Sequence, residues 1–522
     1  MEKSEAHKAT FEHAKKLREP HETEIRDAYK FSYPSRAFDK QPGEKIDRSK
    51  IYDDTATHSV RSLVTNVIKL LVPQNRQWAR ITLKTAKLKE QLETALAERV
   101  MGWNDALNNH FLTSNFYLKM DEAMNDAVVA GTACIAFYDR VGEPLTYISV
   151  PVDQLYFTQD HNGNVDAVFR EHELTGRQMI GRFGKKLQSE LKQTCTDAPD
   201  KLHKIVECVV PAKQGYDYIV YSKADWSEIE SSVTRWNPFI VWRWEKSLNE
   251  AWGNSPVRDA LPSIRSLNMM ARDTLEAGNF SAKPCYQITG DILNIEQLKT
   301  QLVPGGLIAT EAPLQPLATG ANFPITLELI EKTRASVRSL LYGNQIMNRD
   351  ISKTPMSATE ASLRQTEFYA QIGQPALRLQ KELLQPIAEQ AVQRLMERGD
   401  LEALPNQLVA ALNIPGAKTQ ADIFKVETNA AIERAIKMSE AQNDLQTLVT
   451  MMQSLGDPNL VLTHVDVDEL IRNTLEGFSF SPDAIRSREE VKQMKEQMQQ
   501  IELQQQALGL AAQQAKAQGG MR

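Results

Sequence analysis

Asp53-Asp54 and, far down the chain, Asp466 with Asp468 are the sequence's nearest approach to a catalytic constellation. Closely spaced carboxylates are what a Mg²⁺-assisted phosphoryl site needs. The two pairs are widely separated, and each is more simply the acidic start of a helix, where a carboxylate complements the positive N-terminus. GxSxG, GxGxxG, HExxH and the P-loop are all missing. Four cysteines (134, 195, 208 and 285) have no CxxC spacing and read as free buried thiols in a reducing compartment. Nine dispersed histidines give no metal cluster. An acidic stretch around Asn162-Gly163 lacks the spacing and the closing Glu of an EF-hand, so it reads as a turn. The expectation is a protein that is not an enzyme, with no catalytic residues, no metal and no cofactor.

The cations are more suggestive. Arg258, Arg265 and Arg272 recur at seven, an interval that keeps side chains on one helix stripe. Two readings stay open: a solvated face, or a stripe facing another subunit or a channel. Arg349 and Lys353, with Asn348 beside them, lie in the polar stretch "NRDISKTPMSATEAS" that interrupts two long helical patterns. The whole chain is mildly acidic, with 67 Asp+Glu against 61 Lys+Arg and a formal charge of −6, unlike a high-affinity nucleic-acid binder.

The elements that must position these residues are mostly helical. Residues 1–35 read as one or two charged helices. Val60, Leu63, Val64, Val67, Ile68 and Leu71 make one helix face. "QWARITL" (Gln77–Leu83) alternates as a strand, and helices follow at about 87–113 and 118–129. "VVAGTACIAF" reads as a buried element. The stretch from "EPLTYISV" through "NPFIVWRWEK" is strand-rich, with a hairpin at Asn162-Gly163. Trp236, Trp242 and Trp244 fit a sheet packing face.

From Pro256 helix returns, with Val257, Leu261, Ile264, Ala271, Leu275 and Gly278 on one face. A small βαβ-like insert follows, with a short helix at 295–302 and a strand at 307–309. A helix then spans 326–342, supported by Glu328–Lys332 and Glu331–Arg334 pairs and closed by Gly343-Asn344 as a C-cap. Ser357-Ala-Thr-Glu360 is a capping box that restarts helix. Tyr369, Ile372, Ala376, Leu383, Ile387, Ala391 and Leu395 form its apolar face, with a kink expected near 373–375. "ADIFKVET" reads as a strand, and further helices are expected near 430–455 and 466–475. The Gln/Met-rich tail has helix propensity but little core of its own. No apolar run approaches the length of a bilayer span, and the N-terminus lacks a signal-peptide apolar region. A soluble, cytosol-made protein without a membrane partner is expected.

The order of parts resembles the portal, or head-to-tail connector, proteins of short-tailed (podovirus-type) phages. The resemblance is carried by "YDDTATHSVRSLVTNVIKLLVPQNRQWARITL", "DEAMNDAVVAGTACIAFYD", "NPFIVWRWEKSLNEAWGNSPVRDALPSIRSLNMM" and "NRDISKTPMSATEASLRQTEF". No motif is specific alone; their order and spacing over most of the chain make the case.

The resemblance implies an α+β, mostly helical protomer of wing, stem, clip and crown, assembling into a dodecameric ring with an axial channel. It places the wing at 1–255, stem helices at 256–281 and 325–343, and the clip at 282–324. A tunnel loop falls at 344–356, a second wing segment with the long kinked helix at 357–429, and the crown and tail at 430–522. Asn348, Arg349 and Lys353 would then meet double-stranded DNA, Arg258, Arg265 and Arg272 would line the stem, and Lys283, Gln297, Lys299 and Glu311 would dock partners at the clip. Implied partners are terminase, tail adaptor or nozzle proteins, major capsid and scaffolding proteins, and internal core or ejection proteins. The implied location is the portal vertex of the virion, after assembly in the host cytoplasm. Two other readings are a helical scaffold or adaptor of a virion and a Mg²⁺-dependent nucleic-acid enzyme.

Overall fold

The computed structural model describes residues 2–36, 38, 43–75, 77–83, 90–138, 144–213, 215–282, 286–288, 314–316, 323–343, 371–401 and 424–428, with 446–448, 450–451, 470–471, 491 and 494. The chain divides into two units, Met1–Thr428 and Asn429–Arg522. In the second unit the described residues are all helical.

Four α-helices precede the two larger sheets. Of the one or two helices expected, α1 (Glu2–Ser32) is one, and it carries Pro20 through its middle. α2 (Thr55–Leu71) buries Val60, Leu63, Val64, Val67 and Leu71 as the three-four spacing predicts. β1 (Arg80–Leu83) and α3 (Glu90–Thr113) follow. α4 (Phe116–Ala130) then runs through Gly131 into β2 (Thr132–Tyr138), and from Ala123 to Phe137 every residue is buried.

Two antiparallel sheets form the β-rich part. β3 (Thr146–Val150), β2 and β9 (Phe239–Arg243) make a three-stranded sheet in that order. β4 (Leu155–Gln159), β5 (Val165–Thr175), β6 (Leu202–Ala212), β7 (Gly215–Ser222) and β8 (Glu228–Thr234) make a five-stranded meander. The expected hairpin at Asn162-Gly163 joins β4 to β5. Asp160 accepts from the Asn162 and Asn164 amides, and Gly163 takes φ +78°.

Strand alternation sends neighbouring residues to opposite faces, and both faces of the meander are covered. Phe11 and Ala14 of α1 pack on Tyr156, Phe169, Val206, Cys208, Ile219 and Tyr221. On the other face, α5 (Gly176–Phe183) and α6 (Ser189–Asp197) bring Met179, Phe183 and Cys195 onto Ile205, Val220 and Ile229. A capping box, Thr175 with Gln178, starts α5. Trp242 and Trp244 are buried.

Under α5, Glu207 is fully buried on β6. It accepts from Arg182 (2.9 Å) and the Tyr218 hydroxyl (2.9 Å), with His172 at 3.4 Å. Burial alone would raise its carboxyl, but Arg182, Arg170 and His172 together hold it down at about 2. Burial and Arg170 depress His172 to about 4. Cys134, Cys195 and Cys208 are buried free thiols, and burial pushes those of Cys134 and Cys208 up, away from reactivity. Cys285 lies outside the described residues.

Candidate functional site: the long helix pair and its seat

β10 (Glu245–Lys246) and β11 (Gly253–Asn254) lead into α7 (Pro256–Ala282). Beyond it, β12 (Tyr286–Ile288) pairs antiparallel with β13 (Leu314–Pro316), so the ends of the insert close on each other. Its expected helix at 295–302 and strand at 307–309 lie outside the described residues. α8 (Phe323–Leu340) returns beside α7. Tyr342, just past the end of α8, feels the charges of Glu245 and Asp259, at the start of α7. The two helices therefore run antiparallel.

The seat of α7 is a backbone crossing. Gly131 has φ +86°, and a Cβ on it would lie 2.5 Å from the Gly253 carbonyl oxygen; a Cβ on Gly253 would lie 2.1 Å from the Gly131 oxygen. This contact lets the Trp244 amide donate to the Gly131 carbonyl (2.9 Å) and the Gly253 amide to Thr132 Oγ1 (2.9 Å). Ser255 finishes the joint. Its hydroxyl donates to the Val129 carbonyl and accepts from the Arg258 amide, an N-cap for α7. Two motifs that carry the portal resemblance, "VVAGT" and "WGNSP", thus make one physical contact.

Along α7 the cationic stripe finds partners inside the same chain. Arg258 pairs with Glu24 (2.6 Å) and also donates to the Gly253 carbonyl; its side chain is 9% exposed. Arg265 pairs with Asp27. The seven-residue step on α7 is met by a three-residue step on α1. Arg272 pairs instead within its own helix, beside Asp273 (2.8 Å) and Glu276 (3.5 Å). The apolar face differs from expectation towards its far end: Val257, Leu261, Ile264 and Ala271 are buried, but Leu275 is exposed and Gly278 only partly buried.

A strap before α2 crosses both helices. Asn268 accepts from the Tyr52 amide (2.7 Å) and donates to the Lys50 carbonyl (3.0 Å). Arg334 grips Asp53 through Nε (2.9 Å) and Nη2 (2.8 Å), while Asp53 also accepts from the Thr55 amide. Asp54 instead points to solvent and to His58. Asp53 and Asp54 therefore share no metal-binding geometry. Among the described residues no group of three or more His, Cys, Asp or Glu could hold a metal ion. Asp466 and Asp468 lie outside the described residues.

The Glu328–Lys332 and Glu331–Arg334 pairs form as expected. The helix end differs. Gly343 donates back to the Arg338 carbonyl and Tyr342 to that of Ser339, a Schellman closure in which Tyr342, at φ +58°, takes the left-handed position in place of Gly343. Asn348, Arg349 and Lys353, the capping box at Ser357–Glu360, and Lys283, Gln297, Lys299 and Glu311 lie outside the described residues.

Past this gap, α9 (371–398) buries Ile372, Ala376, Leu383, Ile387, Ala391 and Leu395, the expected face. Gly373 and Pro375 lie in regular helix, and the irregularity falls instead at Gln380–Leu384, a π-turn. The cause is Pro386, which has no N–H to offer the preceding turn, so Gln385 donates to Gln380 and the helix widens. α9 is sewn to both neighbouring sheets. Gln390 donates to the Asn237 carbonyl, and Gln385 donates to the Val426 carbonyl of β14 (Phe424–Glu427). β14 is the strand expected in "ADIFKVET"; it pairs with β1 from the other end of the unit.

Sequence reasoning missed the glycine crossing, the strap and the α1–α7 pairing. Signals existed for the first two: a Gly between two apolar runs, and an Asp immediately before a helix start.

These observations define a class: a mixed helix-and-sheet body that carries a long antiparallel helix pair closed at its far end by a small insert. A family model of bacteriophage head to tail connecting proteins matches residues 4–485, and the chain belongs to that family. It is 24% identical over 421 residues to the probable portal protein of Bordetella phage BPP-1, covering 76% of this chain and 75% of that one. It is 20% identical over 494 residues to the portal protein of Salmonella phage epsilon15, covering 90% and 86%. No helix among the described residues is long and apolar enough to cross a membrane.

Proposed function

We propose that twelve copies of this chain form a portal ring at one capsid vertex, through which double-stranded DNA is packaged and later ejected. The observation that carries this reading is the family match along 4–485. The antiparallel pair α7/α8, anchored at one end and bearing an insert at the other, supports it as a stem with a clip. In this reading 256–281 and 325–343 are the stem and 282–324 the clip. The wing comprises 1–255 and 357–429, and the crown 430–522. Terminase docks on the clip during packaging and tail adaptor or nozzle proteins afterwards, with Lys283, Gln297, Lys299 and Glu311 as contacts. Major capsid and scaffolding proteins surround the ring during assembly in the host cytoplasm, and internal core or ejection proteins meet the crown.

Residues 344–356 are the tunnel loop, with Asn348, Arg349 and Lys353 towards DNA phosphates. The work of translocation belongs to the terminase motor, in keeping with the lack of a P-loop in this chain. The test is electron microscopy of the purified protein with class averages counted for symmetry. Twelve-fold rings with a central hole are expected. Monomers or elongated dimers across salt and concentration would overturn the conduit and favour a helical adaptor.

A further inference from the structure

Among the described residues β9 is an edge strand: in the sheet order β3-β2-β9 it has β2 on one side only. An open strand edge leaves backbone N–H groups in search of acceptors. At Arg243 that acceptor is a side chain. Glu382, inside the π-turn of α9, accepts from the Arg243 amide (2.9 Å), from its Nε (3.2 Å) and from its Nη2 (2.8 Å). Arg378, one turn earlier, donates to the same carboxylate (3.0 Å). The Arg243 guanidinium, 3% exposed as a side chain, also gives two bonds to the Gly163 carbonyl, which Lys246 reaches as well.

One residue further, the Trp244 amide bonds to Gly131, and a Cβ on Gly253 would lie 2.9 Å from the Arg243 Cβ. The carboxylate of Glu382 therefore lies one residue from the crossing that seats α7. The upstream flank of residues 344–370 also ends there, since Tyr342 is within the field of Glu245 and Asp259.

We infer that Glu382 is a positioning residue, a side-chain substitute for a missing strand that locks α9 to the seat of α7. As a role within a conduit, this rests on the ring reading. The geometry assigns its two oxygens different tasks. Oε2 caps the Arg243 backbone N–H, which any acceptor at that place can do, and also takes that residue's Nε; Oε1 holds both guanidinium groups, a contact that gains from charge. Glu382→Gln and Glu382→Ala therefore part company.

The experiment is amide hydrogen exchange, read by mass spectrometry on the purified full chain, for wild type, E382Q, E382A and the same-helix control Gln393→Ala. In E382A, exchange across 239–246 and 371–384 rises about tenfold, the factor set by one lost hydrogen bond of ordinary strength. In E382Q, where a carboxamide oxygen still accepts from the Arg243 amide, it rises less than about threefold. Q393A matches wild type. Wild-type exchange in E382A overturns the inference, and so does E382Q exchanging as fast as E382A, which would reduce Glu382 to an ion-pair partner. If E382A fails to fold, E382Q against wild type carries the test: protection kept supports the cap, protection lost refutes it. If wild type forms no rings, the conduit fails, while the exchange comparison still decides the role of Glu382.

Discussion

Gly131→Ala is the sharpest challenge to the seat described above. The new methyl would lie 2.5 Å from the Gly253 oxygen, 2.6 Å from the Asn254 carbonyl carbon and 2.7 Å from the Asn254 oxygen, all backbone atoms that cannot swing away. A residue with a Cβ at φ +86° adds about 1 kcal/mol of conformational cost. Pushing apart two packed segments costs about 1–3 kcal/mol more, and the Trp244–Gly131 bond lengthens as they part. A loss of about 3 kcal/mol is expected. The control is Gly278→Ala within α7, where nothing lies within 4 Å of the added Cβ; there alanine's helix propensity should stabilise by up to about 1 kcal/mol. Urea unfolding followed by tryptophan fluorescence reads both, since Trp242, Trp244 and Trp252 are buried nearby. If G131A unfolds at the same midpoint as G278A, the crossing is not what holds α7, and the account of the seat fails.

Acid should unfold the protein in two stages. His110, in the last turn of α3 against the Tyr147 hydroxyl (2.9 Å), and His172 are held neutral by burial at about 4 against an ordinary 6.5, so the stability they protect is complete above pH 6.5 and declines as pH falls towards 4. Glu207, held at about 2 against 4.5, then withdraws on the order of 3 kcal/mol between pH 4.5 and 2. A urea midpoint that rises between pH 7.5 and 5 would contradict this. Arg334→Ala leaves Asp53, 3% exposed as a side chain, without its cation. It should cost about 2 kcal/mol, less than a fully buried pair because Arg334 is itself partly exposed. Asp53→Asn, which keeps an oxygen for the Thr55 amide, should cost less; equal losses would mean that the stranded carboxylate adds no penalty beyond the lost ion pair.

Local order was legible wherever one period dominated. The faces of α2 and α9 and the turn at Gly163 follow from residue spacing alone, because neighbours along the chain decide them. What escaped was set by distant partners. β14 finds β1 across most of the unit, and no periodicity says which strand another will choose. The arginine stripe of α7 was visible as a stripe, but its partners Glu24 and Asp27 belong to a helix more than two hundred residues earlier. The π-turn was missed for a subtler reason. Proline was taken to bend the helix at its first occurrence, whereas Pro375 is absorbed in regular helix and Pro386 is answered by a wider turn, held by Glu382 on its edge strand. The second long helix stops two residues early, at Leu340, for a similar reason: Tyr342 takes a conformation that sequence reasoning would have given to Gly343.

These pairings bear on how a portal would treat DNA. α7 carries Arg258, Arg265 and Arg272 against Asp259, Asp273 and Glu276, and α8 carries Lys332, Arg334 and Arg338 against Glu328 and Glu331. Three of those cations are engaged by Glu24, Asp27 and Asp53, so the helix pair with its bound partners is slightly acidic. If the pair lines the channel of the proposed ring, such a wall would release few counterions when a duplex passes, and affinity that depends little on the wall would let the duplex slide. If the proposed tunnel loop supplies the phosphate contacts, the salt dependence of duplex binding to purified rings belongs to Arg349 and Lys353. The combined variant R349A/K353A should flatten the plot of log affinity against log salt. Arg272→Ala, at the stripe member paired within its own helix, should leave the slope within about one unit. A steeper loss of slope from R272A than from the loop pair would move the DNA contact onto the stem and refute the assignment to the loop.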